Sequence, residues 1–82
     1  MKPGIRLEEV EAYVLIVVSA GSEQDVLEKL RNINGVQKAR ITYGPWDIVV
    51  ELRTNNMQDM YKAITEIRRI PEVEHTETLI CA

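Results

Sequence analysis

The chain has 82 residues, is 45% hydrophobic and carries a formal net charge of −3. That length and balance describe one small folded domain, too apolar to stay disordered. Its basic residues are scattered, not striped, which argues against the basic face that supplies most nucleic-acid affinity.

Residues 1–10 are mixed and charged, and read as an N-terminal arm or extra edge strand ahead of a domain over residues 11–82. Glu8, Glu9 and Glu11 follow Met1-Lys2-Pro3-Gly4 directly, so the apolar region of a secretory signal is missing. A cytoplasmic location is expected. Residues 12–18 are apolar on both alternating faces and rich in β-branched side chains, the pattern of a strand covered on both sides. This is the longest apolar run, well short of the ~20 residues of a membrane span.

Ser19-Ala20-Gly21-Ser22 breaks the strand. Ser22 with Asp25 three positions on resembles a capping box. Val26, Leu27, Leu30 and Ile33 follow at helical spacing, and Asn34-Gly35 ends the helix. Residues 36–43 form the second strand, with Ala39, Ile41 and Tyr43 on one face. Tyr43-Gly44-Pro45-Trp46-Asp47 then turns the chain. The third strand puts Ile48, Val50 and Leu52 on one face and Val49, Glu51 and Arg53 on the other. Thr54-Asn55-Asn56 caps a second helix with Met57, Met60, Tyr61, Ile64 and Ile67 as its buried stripe, and Pro71 stops it. Arg68-Arg69 is the only basic pair, and its place in the last helical turn reads as an offset to the helix dipole. Residues 73–81 are the fourth strand. The single Cys81 excludes an internal disulfide and fits a reducing compartment, and with the single His75 it cannot complete a four-ligand zinc site. No metal or other cofactor is expected.

Shifting the sequence by 37 positions aligns Leu27 with Ile64, Leu30 with Ile67, Ile33 with Ile70 and Val36 with Val73. Each half is strand–helix–strand, and the whole is βαββαβ. Short connections and right-handed crossovers make this a ferredoxin-like α+β domain: a four-stranded antiparallel sheet with two helices on one face. The other face, including Val14, Val49 and Leu79, is too apolar to be left wet. A sheet-to-sheet dimer is expected.

That fold serves many functions, so the site has to discriminate. An RNA-binding version needs aromatic residues on the inner strands, and these strands are aliphatic apart from Tyr13. A copper carrier needs paired cysteines after the first strand. An acylphosphatase-like enzyme needs an arginine in that loop, and none is there. A small dimeric α/β-barrel enzyme stays open, with His75 as its candidate base and Glu74 or Glu77 as candidate acids.

Asp47 supports a different chemistry. A carboxylate beside free backbone N–H groups can hold a zwitterion, the acid taking an ammonium and the amides a carboxylate. Trp46 would cover it. Thr76 and Thr78 lie two apart, hence on one face of the last strand, and offer hydroxyls to a polar group. Equally, Trp46 reads as a packing anchor, Asp47 as a turn former and the threonines as ordinary strand residues. Residue chemistry alone leaves both readings open.

The order of elements, with Thr42-Tyr43-Gly44-Pro45-Trp46-Asp47 before an apolar strand and Val73-Glu74-His75-Thr76-Glu77-Thr78 closing the domain, resembles the Lrp/AsnC regulators. The likeness is to their effector-binding (RAM) domain and covers about residues 12–82. It implies a non-enzymatic domain that binds an amino acid or similar small molecule. It also implies dimers packed sheet to sheet that assemble further, up to octamers, with ligands in crevices between dimers. Gly44 and Trp46 would offer backbone groups, Asp47 would meet the ammonium, and Thr76 and Thr78 would line the pocket. Full-length regulators of that family carry an N-terminal helix-turn-helix, for which residues 1–10 leave no room. The expectation is a stand-alone sensor that modulates transcription by co-assembly with a full-length regulator, without binding DNA itself. The amino-acid-binding ACT domains share βαββαβ but place their ligand near the first strand–helix loop, where Ala20-Gly21 carries less signal.

Overall fold

A computed structural model describes residues 9–82, so the arm read into residues 1–10 lies largely outside the described residues. The elements run β1 (Val10–Val18), α1 (Glu23–Arg31), β2 (Val36–Ile41), β3 (Ile48–Thr54), α2 (Met57–Arg68) and β4 (Val73–Ile80). This is the βαββαβ order. The sheet is antiparallel with strand order β2-β3-β1-β4, so each βαβ half places its two strands with one strand between them.

The register fixes which side chains share a face. Val14 sits opposite Val50 and Thr78, and Ile16 opposite Ile48 and Thr76. Ala12, Val14, Ile16, Val18, Ile48, Val50 and Leu52 are buried with Val26, Leu27 and Leu30 of α1 and Met60, Ala63 and Ile67 of α2. Both helices therefore cover this one face, and the core lies between them and the sheet. The opposite face carries Tyr13, Leu15 and Val17 on β1, Val49 on β3 and Leu79 on β4. Leu15 and Val17 are only half-buried there, and Tyr13 and Leu79 are exposed.

Val14 accordingly belongs under the helices, fully buried, and not on the open face with Val49 and Leu79. A strand apolar on both sides does not reveal its own phase; the polar Glu51 and Arg53 on β3, paired with Tyr13 and Glu11, do. Three local expectations also change. Strand β2 ends at Ile41, and Tyr43 stands fully in solvent. The buried stripe of α2 runs through Met60, Ala63 and Ile67, leaving Met57 and Tyr61 exposed at 37% and 64%. Small Ala63 takes the central place and rotates the stripe away from Tyr61. At the start of α1 the Ser22 hydroxyl donates to the Ser19 carbonyl and accepts nothing from the helix, so the capping box does not form. Asn56 does cap α2, its side-chain oxygen accepting from the Asp59 N–H at 2.8 Å.

Gly35, between α1 and β2, has φ +99°, and a Cβ there would meet Thr54 Cγ2 at 3.1 Å. Any other residue would be strained in both conformation and space. The loop after α2 is tied to β1, with the Ser19 N–H donating to the Glu72 carbonyl at 2.9 Å, and to α1 through a 3.0 Å Lys29–Glu72 ion pair. The Lys29 hydrogen bond, with a backbone hydrogen bond, holds the Glu72 carboxyl below its usual value of 4.5. A depressed folded-state pKa stabilises above the unfolded value and loses that contribution as pH falls through the folded one. Glu72→Gln should therefore narrow its stability gap to wild type as pH drops below about 4.5. Urea midpoints measured from pH 7 to pH 3 check this; the effect is small because the pair is solvent-screened.

Candidate functional site

The turn at residues 42–47 is built by hydrogen bonds at its base. The Thr42 N–H donates to the Asp47 carbonyl at 2.8 Å, and the Thr42 hydroxyl donates to the Trp46 carbonyl at 2.7 Å. Just past the last β3–β1 pair, Ile48 with Ile16, the Asp47 N–H donates to the Ile16 carbonyl at 2.8 Å. Gly44 sits at the exposed tip with φ +127°, a conformation that favours glycine. Among the described residues, the Gly44 and Trp46 N–H groups have no hydrogen-bond partner.

Asp47 is half-buried, and its Oδ2 accepts from the Val18 N–H at 2.9 Å. That donor lies two residues past the last β1–β3 pair, Ile16 with Ile48, where β3 no longer offers a ladder carbonyl. Asp47 thus straps the turn to the end of β1. Its other carboxylate oxygen has no partner among the described residues and stays available to a cation.

Trp46 folds back across the end of β1 onto β4. Its indole stacks on the His75 ring with centroids 5.6 Å apart and an interplanar angle of 17°. His75 pairs with Val17, so the stack lies on the open side of the sheet. His75 makes no hydrogen bond or ion pair among the described residues, to Glu74, Glu77 or any other acid. Aromatic pairs of this kind are worth about 0.5–1.5 kcal/mol. His75→Ala is expected to cost roughly that much, and to shift the emission of Trp46, the only tryptophan, toward the red as the indole gains water. Unchanged emission would mean that the stack does not persist in solution.

Thr76 and Thr78 share a face, but it is the helix-covered one, since they pair with Ile16 and Val14. Both are half-buried in a groove of about 520 Å³ beside α2, which Ile64 and Arg68 also line. Gly44, Trp46 and Asp47 do not line that groove, although His75, the ring under Trp46, does. One chain therefore brings Trp46 to His75 and Asp47 to Val18, and leaves the turn and the threonines apart. Sequence reasoning missed three features, one of them the stack of Trp46 on His75. The Asp47–Val18 bond spans 29 positions and has no local pattern behind it. Arg68 was accounted for by the helix dipole; its spacing of four from Ile64, toward the strand that carries Thr76, was the available signal.

Among the described residues, no group of three or more His, Cys, Asp or Glu is placed to hold a metal ion, and no helix is long and apolar enough to cross a membrane.

The family model described as the Lrp/AsnC ligand binding domain matches residues 11–82. The HTH-type transcriptional regulator FL11 of Pyrococcus abyssi is 35% identical over 69 residues, 84% of this chain and 46% of that protein. The chain spans about half the length of the curated relatives it matches. Among solved structures, FFRP-DM1 is similar with a TM-score of 0.84 and 39% identity, over 89% of this chain and 99% of that one. E. coli AsnC is similar with a TM-score of 0.80 and 26% identity, over 98% of this chain and 60% of that one. Relatives that are transcriptional regulators speak against the enzyme built on His75. The chain belongs to the Lrp/AsnC family, and residues 11–82 are its ligand-binding domain.

Proposed function

We propose that this domain binds an amino acid, or a molecule with the same ammonium-and-carboxylate head, at a site shared between two copies of the chain. The observation that carries this is the 44–47 turn. Two unpartnered N–H groups, on Gly44 and Trp46, sit next to an Asp47 carboxylate that is fixed by Val18 through one oxygen and open at the other. Fixed donors and a fixed acceptor, placed before the ligand arrives, lower the ordering cost of binding. The amides take the carboxylate, Asp47 takes the ammonium, and Trp46 closes over them. Thr76 and Thr78 line the pocket from a second copy, because in one chain they lie on the other side of the sheet.

Assembly follows from the open face. Tyr13, Leu15, Val17, Val49 and Leu79 form an apolar stripe across the three strands β3, β1 and β4. Packing two such faces makes the dimer, and dimers associate further through their turns and β4 edges. The domain works in the cytoplasm and acts on transcription by co-assembling with a full-length relative, which supplies the DNA contact.

A thermal-shift panel of the twenty amino acids tests the ligand class. A ligand at ~100 times its dissociation constant adds about 2.7 kcal/mol, a rise of roughly 11–22 °C for a domain this size. Asp47→Asn should abolish that rise. If no amino acid raises the melting temperature, the ligand class is wrong.

A further inference from the structure

The groove beside α2 follows from two periodicities. Thr76 and Thr78 are two apart on β4, with Glu74 beside them at the register shift, and Ile64 and Arg68 are four apart on α2, so these side chains line the same space. Strand β4 is an edge of the sheet, and no further strand of the chain covers its row. Ile64 and Val73, both half-buried, make the apolar floor.

The polar groups of this groove share a property. The hydroxyls of Thr76 and Thr78 have no hydrogen bond, and Arg68 and Glu74 have no ion pair, within the described residues. Arg68 and Glu74 are opposite in sign and line one groove, yet they stay apart.

These groups set what can occupy the groove. An aliphatic side chain pressed onto it would strip water from two hydroxyls, a guanidinium and a carboxylate and give nothing back. Sites lined by hydrogen-bonding groups reject apolar analogues far more strongly than apolar sites reject one another's ligands. A group with an acceptor oxygen answers Arg68 and both hydroxyls at once.

We infer that the α2–β4 groove reads the ligand's side chain and selects amino acids that end in a carboxylate or a carboxamide over aliphatic ones. This rests on the amino-acid reading of the turn, and adds to it the identity of the side chain. Arg68 donates to the side-chain oxygen, and Thr76 and Thr78 donate beside it. Glu74 separates the two members of the class: it accepts from a carboxamide N–H and repels a second carboxylate.

Isothermal titration of the assembled protein with L-glutamine, L-asparagine, L-glutamate, L-aspartate, L-leucine, L-isoleucine and L-valine tests this. The first four are expected to bind at least about tenfold more tightly than the aliphatic three. Arg68→Met should remove that preference by weakening the polar ligands alone, and Arg68→Lys should restore part of it. Glu74→Gln should strengthen L-glutamate and L-aspartate relative to L-glutamine and L-asparagine, and an unchanged ratio would overturn the role given to Glu74. Arg68 is exposed, so these variants are expected to fold, with far-UV circular dichroism as the check. Tightest binding by an aliphatic amino acid, or an Arg68→Met profile identical to wild type, overturns this inference and leaves the proposed ligand class standing. Binding by none of the seven, together with no response to the remaining amino acids, overturns both.

Discussion

Asp47→Ala is expected to destabilise the domain by about 1–3 kcal/mol before any ligand is added. The Val18 N–H, which donates to Asp47 Oδ2 at 2.9 Å, would lose that partner beyond the last β1–β3 pair, where no ladder carbonyl replaces it. That is a large share of the 5–15 kcal/mol typical of a whole domain. The loss should appear as a lower urea midpoint at unchanged slope, since the surface exposed on unfolding stays the same. Asp47→Asn keeps an acceptor oxygen in place and should retain most of the stability while losing the charge that meets an ammonium. The two variants separate the strap from the binding role. Wild-type stability in Asp47→Ala would show that the strap contributes nothing, and ligand response in Asp47→Asn would show that the charge is not needed.

Leu15→Glu is expected to dissociate the assembly while leaving the monomer folded. Leu15 lies midway along β1 on the open face, between Val49 and Glu77, and packs against neither helix. In a dimer of open faces a carboxylate there is buried without a counter-charge, which costs several kcal/mol. The core beneath, from Val14 and Ile16 to Met60 and Ile67, is untouched. Light scattering at micromolar concentration should give the mass of a single chain for Leu15→Glu and a multiple of it for wild type, with matching far-UV circular dichroism. A wild-type monomer would contradict the packing of the open faces.

Much of this fold is legible in the sequence because most elements state their own phase. Val26, Leu27 and Leu30 mark one face of α1, and the Glu51 and Arg53 alternation marks the solvent side of β3. Strand β1 is the exception. Apolar on both sides, it fits two phases equally, and the pairing of its neighbours decides that Val14 faces the helices and Leu15 does not. The end of β2 was overrun for a similar reason: Tyr43 continues the alternation, but the Thr42 bonds to Trp46 and Asp47 close the strand before it.

The residue types of the candidate site are legible in the sequence, and their arrangement is not. Gly44, Trp46 and Asp47 are adjacent in sequence, so their proximity is local and readable. That Thr76 and Thr78 share a face follows from their spacing; that this face lies under α2, away from the turn, depends on the register with β1. The partner of Asp47 and the ring beneath Trp46 each come from across the chain, and only the fold places them.

The shared site can be tested by mixing two defective chains. Asp47→Asn damages the turn, and Thr76→Val with Thr78→Val damages the groove; neither protein alone should bind the amino acid that gives wild type its largest thermal shift. Unfolded together and refolded at equal amounts, the chains pair at random, and about a quarter of turn–groove combinations across the interface are then intact. Titration calorimetry of the mixture should recover that fraction of wild-type sites at wild-type affinity. If each site is instead complete within one chain, every chain in the mixture still carries a defect. No recovered binding would then be seen, and the shared site would be contradicted.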